Sequence, residues 1–548
     1  MTYLHYSSKL PLGLQTFEEI RTNRYLYVDK TKYLVDLIDR GKVFFLSRPR
    51  RFGKSLTVST FEALFSGRRD LFEGLFAETF FDRPDYCTHP VVHLDMSDIT
   101  TDEGVDSLRR SILLQIRVRA DRLGVALPDT DSPGDAYSAL LTRTADKFDA
   151  PVAVLVDEYD KPILDRIDDR EAAAAYREVL RNVYTRIKSA DAAVRFVFIT
   201  GISKFTKSGI FSALNNLTDL SMLPDYATML GYTEGELLEN FSEHIDAAAK
   251  KLSMDREALV AEMKAYYDGF SFDGMQAVYN PYSAMSFLAN AVFDNYWFDT
   301  GSPSFLAKYL AGRRITVEEF RGIEVSRDFS SLGEIEDAEA ASFLYQSGYL
   351  TLRRGAYSDF TLDYPNREVL SSMSMMLTVG VFESLTDTDV SYGRLRRSLD
   401  KEDVDGVVAE FNRLLAAIPY DDYAASAKKA VEAHGLDGAL TPREWLYRSM
   451  LLSYLYGAGL DVDAETHTSR GRPDLVVRYR GKVWVVELKV ARGAEAAKRA
   501  AADAIAQIQD RGYAEKFGTA TLVGMAIDDE KRSIAVFEHV RKEIGRHV

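Results

Sequence analysis

The first 230 residues alternate short apolar runs with longer amphipathic stretches. Runs without polar interruption are typical of strands buried on both faces, and the stretches between them have the helical period. The alternation therefore predicts an α/β fold, a parallel sheet with helices packed on both faces. We expect strands at Val43–Leu46, Val91–Asp95, Val152–Val156 and Val194–Thr200, and helices at Ser55–Phe65, Val105–Leu123 and Glu171–Lys188.

A phosphate-binding sequence follows the first of these strands. Gly53-Lys54-Ser55 has the residues that end a P-loop, although Arg48 stands where that motif has its first glycine. In such a loop the backbone N–H groups and the amino terminus of the next helix face the phosphates. Lys54 would contact the β- and γ-phosphates of ATP, and Ser55 would help to hold Mg²⁺. Two further basic residues are candidates for binding phosphate or a partner, Arg50 and Arg51.

The ends of two later strands supply other groups that a nucleotide site needs. Asp157 and Glu158 follow Val152–Val156 directly, which is the pattern of a Walker B strand. Asp157 is expected in the Mg²⁺ shell, and Glu158 is expected to orient and deprotonate the attacking water. Thr200 ends the next strand, where a γ-phosphate sensor would lie, because open α/β sheets bind ligands at strand carboxyl ends. The alternative is a buried sheet that carries Gly-Lys-Ser by chance.

A predicted hairpin near the carboxy terminus carries a second group of charged residues. Valines and aromatic residues flank a turn at Arg480-Gly481. A two-residue loop there pairs Asp474 with Glu487. Alternate residues of a strand share a face, so Glu487 and Lys489 project to the same side. The opposite face is apolar: Leu475, Val477, Trp484, Val486 and Leu488.

These carboxylates point to a metal site. Asp474 and Glu487 would repel each other where they are partly buried, and a divalent cation removes that conflict. Mg²⁺ or Mn²⁺ held there, with the Leu488 carbonyl, would position a water against a phosphodiester, and Lys489 would lower that water's pKa or stabilise the transition state. Further candidate ligands are Glu465 and Glu444, and candidate substrate contacts are Gln507 and Tyr513. The alternative is a salt bridge of Lys489 on a solvated face.

The middle of the chain is less informative. Residues 231–340 are mainly helical and rich in aromatic residues, whereas 348–362 have the pattern of a hairpin. That hairpin is either the wing of a winged helix or an ordinary surface hairpin. Glycine and proline in 434–442 favour a domain boundary. We expect four domains: a P-loop domain at 1–230, a helical lid at 231–340, a winged-helix-like connector at 341–435 and a nuclease-like domain at 436–548.

Composition excludes several classes of protein. The single cysteine, Cys87, cannot form an intrachain disulfide, so a disulfide-stapled secreted scaffold is excluded. No apolar stretch is long enough for a membrane span and no export signal is evident, so we expect a cytoplasmic protein. The formal charge is −15, yet residues 441–548 hold 18 Lys and Arg against 15 Asp and Glu. This excess is too small to establish DNA binding by itself.

Longer motifs resemble the AAA-ATPase-like family of P-loop proteins. They are Tyr25-Leu-Tyr-Val-Asp-Lys-Thr31, Phe45-Leu-Ser-Arg-Pro-Arg-Arg-Phe-Gly-Lys-Ser55, Val156-Asp-Glu-Tyr-Asp160, Thr200-Gly-Ile-Ser-Lys-Phe205, Asn215-Asn-Leu217, Tyr279-Asn-Pro-Tyr282, Tyr296-Trp-Phe-Asp-Thr-Gly301 and Tyr364-Pro-Asn-Arg-Glu368. Arg48 is a usual residue in that family. Its members commonly carry a carboxy-terminal PD-(D/E)XK nuclease domain of the restriction-endonuclease-like fold, which Gly471-Arg-Pro-Asp474 and Glu487-Leu-Lys489 match.

Two functions are consistent with these observations. The resemblance implies an ATPase of the AAA/ASCE class coupled to a metal-dependent nuclease. We expect Mg²⁺ or Mn²⁺ as the metal and DNA as the nucleic acid, although the sequence does not distinguish DNA from RNA. The alternative is an ATP-gated switch or assembly protein whose nuclease-like domain only binds DNA or a protein partner. The acidic body of the chain favours protein partners or a homo-oligomer over extensive DNA wrapping.

Overall fold

A computed structural model describes residues 8–101, 104–167, 169–204, 214, 216–301, 317–326, 329, 340–355, 360–381, 388–416, 442–464, 473–512, 517 and 519–543. The chain divides into two compact units, Met1–Tyr309 with Phe320–Asn366 (unit 1) and Leu310–Glu319 with Arg367–Val548 (unit 2). The four domains expected from the sequence divide the chain more finely, and their boundaries stay predictions.

Unit 1 contains a five-stranded parallel sheet. Its strands are β1 (Val43–Ser47), β2 (Val91–Asp95), β3 (Val152–Asp157), β4 (Val194–Gly201) and β5 (Thr218–Asp219). They lie in the order β2-β3-β4-β1-β5, with every neighbouring pair parallel. Every residue of β3 is buried, as expected for a sheet covered on both faces. Because β4 separates β1 from β3, the order is that of the AAA/ASCE class, which confirms the expected P-loop fold.

Helices precede, connect and cover these strands. They are α1 (Phe17–Thr22), α2 (Thr31–Arg40), α3 (Lys54–Phe65), α4 (Val105–Leu123), α5 (Pro133–Phe148), α6 (Lys161–Leu164) and α7 (Arg170–Ser189). Short 3-10 helices lie at Arg69–Phe72, Phe76–Asp82, Met96–Asp98, Asp191–Ala193 and Pro224–Tyr226. The three helices expected between the strands are present as α3, α4 and α7, with ends that agree within one residue.

The remainder of unit 1 begins with helices and ends with a small sheet. The helices are α8 (Glu234–Asn240), α9 (Ser242–Leu252), α10 (Arg256–Tyr267), α11 (Pro281–Asn290) and α12 (Tyr296–Gly301), with a two-stranded sheet of β6 (Phe270–Ser271) and β7 (Ala277–Val278). After a 3-10 turn at Val317–Phe320 come β8 (Ile323–Val325), α13 (Ala340–Ser347), β9 (Thr351–Arg354) and β10 (Phe360–Asp363). The expected hairpin is β9–β10, and β8 pairs with β10 to complete a three-stranded antiparallel sheet; its assignment as a wing stays a prediction.

Unit 2 combines helices with a second five-stranded sheet. Its helices are α14 (Arg367–Val381), α15 (Thr388–Lys401), α16 (Val404–Ala416), α17 (Pro442–Gly457) and α18 (Ala494–Asp510). Its strands are β11 (Asp461–Ala464), β12 (Leu475–Tyr479), β13 (Lys482–Ala491), β14 (Thr519–Asp528) and β15 (Ser533–Glu543), and they lie in that order. Only β13 and β14 pair in parallel, and α18 connects them. This is the expected restriction-endonuclease-like fold.

A close approach of helix and strand fixes α18 on this sheet. A Cβ added at Gly524 would lie 2.5 Å from Ile505 N and 2.8 Å from Ala501 O, so only glycine fits in β14 at this point. The facing side of α18 is rich in buried alanine. Small side chains on both elements therefore bring the helix down to β14, where Gly524 pairs with Glu487 of the neighbouring strand β13.

Candidate active sites

The P-loop connects β1 to α3 and has a left-handed backbone at two residues. Arg51 has φ 66° and Gly53 has φ 94°, a region that favours glycine at the second position. Lys54 begins α3, and its side chain is 6% exposed. Its ammonium donates to Arg48 O and Pro49 O, both at 3.0 Å. Burial lowers the pKa of Lys54, and nearby carboxylates led by Glu158 oppose that shift.

Acidic residues at the end of β3 lie beside the start of α3. The Ser55 hydroxyl donates to Asp157, which is 3% exposed, and burial raises the pKa of this carboxyl. Burial also raises the pKa of Glu158, with the Lys54 ammonium opposing the shift. Glu158 has φ 48°, and strained non-glycine backbone of this kind clusters at functional sites. The structure therefore brings together four residues expected from the sequence, from strands more than 100 residues apart.

A cavity of about 370 Å³ opens beside this cluster. The P-loop residues Arg50, Arg51 and Lys54 line it together with Glu158. The Arg51 guanidinium lies over the Tyr282 ring at 4.9 Å from the ring centre. Other walls come from elements that motif analysis did not assign to the site: Leu14, Gln15, Tyr27, Tyr232 and Met285. A pocket of mixed polar and aromatic lining next to a P-loop fits a nucleoside.

Thr200 is placed differently from the expectation. It is the penultimate residue of β4, which lies between β1 and β3, but it is fully buried and its hydroxyl donates to Leu46 O at 2.8 Å. The hydroxyl is thus used to join β4 to β1. This contact does not support a role for the Thr200 side chain in sensing phosphate.

The loop after β4 is instead held by Asp160, a residue that was not predicted to have a role. Asp160 is 1% exposed and accepts from Ile202 N at 3.1 Å, Ser203 N at 2.6 Å and Ser203 Oγ at 2.5 Å. The Tyr159 hydroxyl donates to Ser203 O at 2.9 Å. The motif Val156–Asp160 marked these positions, yet only the fold shows that they fix the loop at the end of β4.

Arg48, which stands where the P-loop motif has its first glycine, forms hydrogen bonds with backbone carbonyls. Its guanidinium is 1% exposed and donates to Ser47 O, Ser221 O and Tyr226 O at 2.8–3.0 Å. It lies over the Phe272 ring at 3.9 Å from the ring centre, and burial lowers its pKa to about 10. Arg48 therefore ties the start of the P-loop to the surrounding protein.

In unit 2 the hairpin β12–β13 has the predicted register. Leu475 pairs with Val486 and Tyr479 with Lys482, around a turn in which Arg480 has φ 49° and Gly481 has φ 77°. Two positive φ values are typical of a type I′ turn, whose twist matches that of the strands. The prediction that Asp474 and Glu487 face each other is confirmed by this register.

The two residues are in contact, and Glu487 is buried whereas Asp474 is partly buried. Asp474 Oδ2 accepts from Leu488 N at 2.7 Å, and Asp474 N donates to Glu487 Oε2 at 3.4 Å. Glu487 is 2% exposed, and burial followed by the neighbouring Asp474 raises its pKa to about 7. Burial also raises the pKa of Asp474. A divalent cation relieves this kind of charge conflict, so the pair fits a metal site.

Other groups converge on Glu487. Lys489 Nζ lies 3.3 Å from Glu487 Oε1, and the Gln507 side-chain amide donates to the same oxygen from α18. From α17, Glu444 raises and Arg448 lowers the pKa of Asp474 through their charges. The lysine is 32% exposed, so the ion pair lies at the edge of a buried site and not on a fully solvated face.

Two of the expected site residues, Glu465 and Tyr513, lie outside the described residues. Within the described ranges no group of three or more His, Cys, Asp and Glu is arranged to hold a metal ion. In unit 2 the expected ligands that the structure places in contact are Asp474 and Glu487. Their assignment as ligands stays a prediction.

Comparison with known proteins agrees with these placements. The model of the AAA-ATPase-like family, described as predicted AAA-ATPases, matches residues 11–211, and that of the PD-(D/E)XK nuclease superfamily matches 442–537. An uncharacterized protein in the vnfD 5′ region of Azotobacter chroococcum mcd 1 is 34% identical over 539 residues, which cover 96% of this chain and 98% of that protein. The chain belongs to the AAA-ATPase-like family and carries a PD-(D/E)XK nuclease superfamily domain.

Each matched range of this AAA-ATPase-like protein contains one site: the P-loop lies in 11–211, and Asp474 and Glu487 lie in 442–537. The solved Orc1 protein of Aeropyrum pernix in complex with DNA aligns with 81% of this chain and 87% of that chain, at 13% identity and a TM-score of 0.25. That likeness is too weak to support any inference. No helix within the described part of the AAA-ATPase-like protein is long and apolar enough to span a bilayer.

Proposed function

We propose that this protein binds and hydrolyses ATP in unit 1 and cleaves phosphodiester bonds of nucleic acid, with DNA as the substrate, in unit 2. The nuclease assignment rests on one observation: Asp474 and Glu487 face each other across a hairpin while Lys489 contacts Glu487. The Ser55–Asp157 contact beside a nucleoside-sized cavity supports the ATPase assignment.

In unit 1 the P-loop backbone, the amino terminus of α3 and Lys54 would bind the phosphates. Ser55 and Asp157 would hold Mg²⁺, which neutralises phosphate charge when it is bound. Glu158 would take a proton from the attacking water, and its raised pKa makes the carboxylate a stronger base. Arg50 and Arg51, which line the cavity, would bind phosphate or ribose oxygens.

In unit 2 Asp474 and Glu487 would hold Mg²⁺ or Mn²⁺, and this cation supplies a polarised water when it is bound. Lys489 would donate to the phosphate oxygen on which charge develops. Gln507 would keep the Glu487 carboxylate in one orientation through the contact described above. The basic excess in 441–548 is consistent with phosphate binding, although it is small.

Plasmid cleavage with Mg²⁺ or Mn²⁺ tests the nuclease. We expect nicking by the intact protein and at least about a hundred-fold loss in Glu487→Ala and in Lys489→Ala, with unchanged ATP affinity. Matched controls are Glu495→Ala and Lys498→Ala, since both side chains lie exposed on α18. Cleavage that persisted in Glu487→Ala would contradict the assignment.

An ATP-gated assembly protein is the second candidate function. The formal charge of −15 favours it, because an acidic body repels long tracts of nucleic acid. On this alternative ATP would change the oligomeric state, read by light scattering, while plasmid with Mg²⁺ or Mn²⁺ stayed intact. The same preparation therefore separates the two functions.

A further inference from the structure

A buried aromatic layer in the middle of unit 1 lies against the P-loop. It consists of Phe270, Phe272, Trp297 and Tyr349, and we call it the aromatic support. Phe52 of the P-loop packs on it, with ring centres 5.0 Å from Phe270 and 5.6 Å from Phe272. The ring centres of Trp297 and Tyr349 are 4.9 Å apart, and neither residue is more than 1% exposed. None of the four residues lines the nucleoside-sized cavity.

Two contacts join this support to the backbone of the loop. The Trp297 indole N–H donates to Arg50 O at 3.2 Å. Gly348, with φ +92°, lies so near the loop that an added Cβ would be 2.6 Å from Pro49 Cβ and 3.3 Å from the Trp297 ring. The positions of Pro49 and Arg50 therefore depend on residues about 250–300 positions later in the chain.

On the proposed function, the same stretch of loop would change partners when nucleotide binds. The Lys54 ammonium now donates to Arg48 O and Pro49 O. On the proposed function, Lys54 donates to ATP phosphates, and these two carbonyls lose a charged donor. Their neighbour Arg50 O is the acceptor of Trp297, so the exchange takes place one peptide away from the aromatic support.

We infer that Trp297 is a positioning residue for the P-loop, and that ATP occupancy of the loop is transmitted through Trp297 and Tyr349 to the hairpin β9–β10. The inference rests on the proposed binding of ATP at Lys54. Tyr349 stands two residues before β9 begins, and Thr351 of that strand accepts from Ser271 N at 2.7 Å. The two-state element is the Lys54 ammonium, with loop carbonyls as its partners in one state and phosphates in the other.

Tryptophan fluorescence of the full chain, measured beside calorimetric ATP binding, tests this inference. The intact protein and Trp484→Phe should show a saturable emission change with ATP. Trp297→Phe should lose that change, although Trp445 and Trp484 remain, and should bind ATP about three- to ten-fold more weakly for want of one hydrogen bond. Trp484 is the matched control because it is equally buried but belongs to unit 2.

The possible results are distinct. If calorimetry shows ATP binding but the emission change persists in Trp297→Phe, the inference is overturned and the proposed function stands. The same holds if the intact chain binds ATP without any emission change. Absence of calorimetric binding to the intact chain overturns both.

A second variant tests the same contact without altering a tryptophan. Gly348→Ala places a methyl group against Pro49 and should weaken ATP binding by at least about ten-fold. Gly322→Ala is the matched control, because Gly322 also has positive φ, at +63°, but has no atom within 4 Å of the added carbon. Equal ATP affinity in the two variants, at equal thermal stability, would overturn the inference.

Discussion

At the scale of single residues, burial of charge is the main feature of both sites. Lys54, Asp157 and Glu487 are each less than 7% exposed, although charged side chains are rarely buried unless they are paired. In each case the partner comes from the same site, so removal of one partner leaves a desolvated charge. Such residues determine how the sites respond to pH and to substitution.

Glu487 should make the stability of the metal-free protein depend on pH. Its pKa is about 7 in the fold against an ordinary value of 4.5, so between these values the folded chain holds a proton that the unfolded chain lacks. The free energy of unfolding should therefore fall as pH rises through this window. Glu487→Gln should flatten that slope and should be about 1–3 kcal/mol more stable than the intact protein at about pH 8.

Urea denaturation in a chelator at a series of pH values measures this effect. Glu495→Gln, on the exposed face of α18, should keep the slope of the intact protein. Parallel slopes in the intact protein and Glu487→Gln would show that this carboxyl titrates normally.

Asp160 should be important for stability, since three donors of the loop after β4 meet its carboxylate. Asp160→Ala should lower the free energy of unfolding by about 2–4 kcal/mol, because those buried donors lose their acceptor. The control is Asp165→Ala, which removes a partly exposed ion pair with Lys161 and a long hydrogen bond from Thr101 and should cost only about 1 kcal/mol. Equal losses in urea denaturation would contradict the assigned role.

At the scale of elements, local turn chemistry decides whether the nuclease residues meet. The β12–β13 hairpin has positive φ at Arg480 and Gly481, and a one-residue slip would turn Asp474 away from Glu487. The sequence identified this turn because valine-rich strands flank it. By contrast, helix α5 was not predicted from the sequence, although two local signals mark its start: Ser132 caps it and Pro133 is its first residue.

Arg480→Asn should stabilise the hairpin by about 0.5–1 kcal/mol, because asparagine tolerates the left-handed conformation better than arginine. The pair lost with Asp400, at 3.4 Å and largely exposed, contributes little. Arg480→Val should have the opposite effect, since a β-branched residue is strained there. The melting temperatures of the two variants measure the difference, and the reverse order would exclude a type I′ turn.

At the scale of the whole molecule, each compact unit carries one of the two sites. A ligand that binds only the folded state stabilises it by about 2.7 kcal/mol at a hundred-fold excess over its Kd. The response of each unit to its own ligand is therefore measurable in the intact chain.

ATP should raise the melting transition of unit 1, and Mn²⁺ without nucleotide should raise that of unit 2. Lys54→Ala should remove the first shift alone, and Asp474→Asn the second alone, in calorimetric scans of the full chain. Lys147→Ala, an exposed substitution on α5, is the control for lost lysine charge. Loss of both shifts in either variant would contradict the placement of one site in each unit.

The sequence alone determined the βα order, the P-loop, the strand that ends in Asp157 and the hairpin that pairs Asp474 with Glu487. These features depend on local periodicity, turn chemistry and short spacing, which a single sequence records. Only the tertiary structure decided that the Thr200 hydroxyl joins two strands, that Asp160 holds the next loop and that Trp297 reaches Arg50. Contacts of this kind join residues tens to hundreds of positions apart, and their donors and acceptors find partners only when the chain packs.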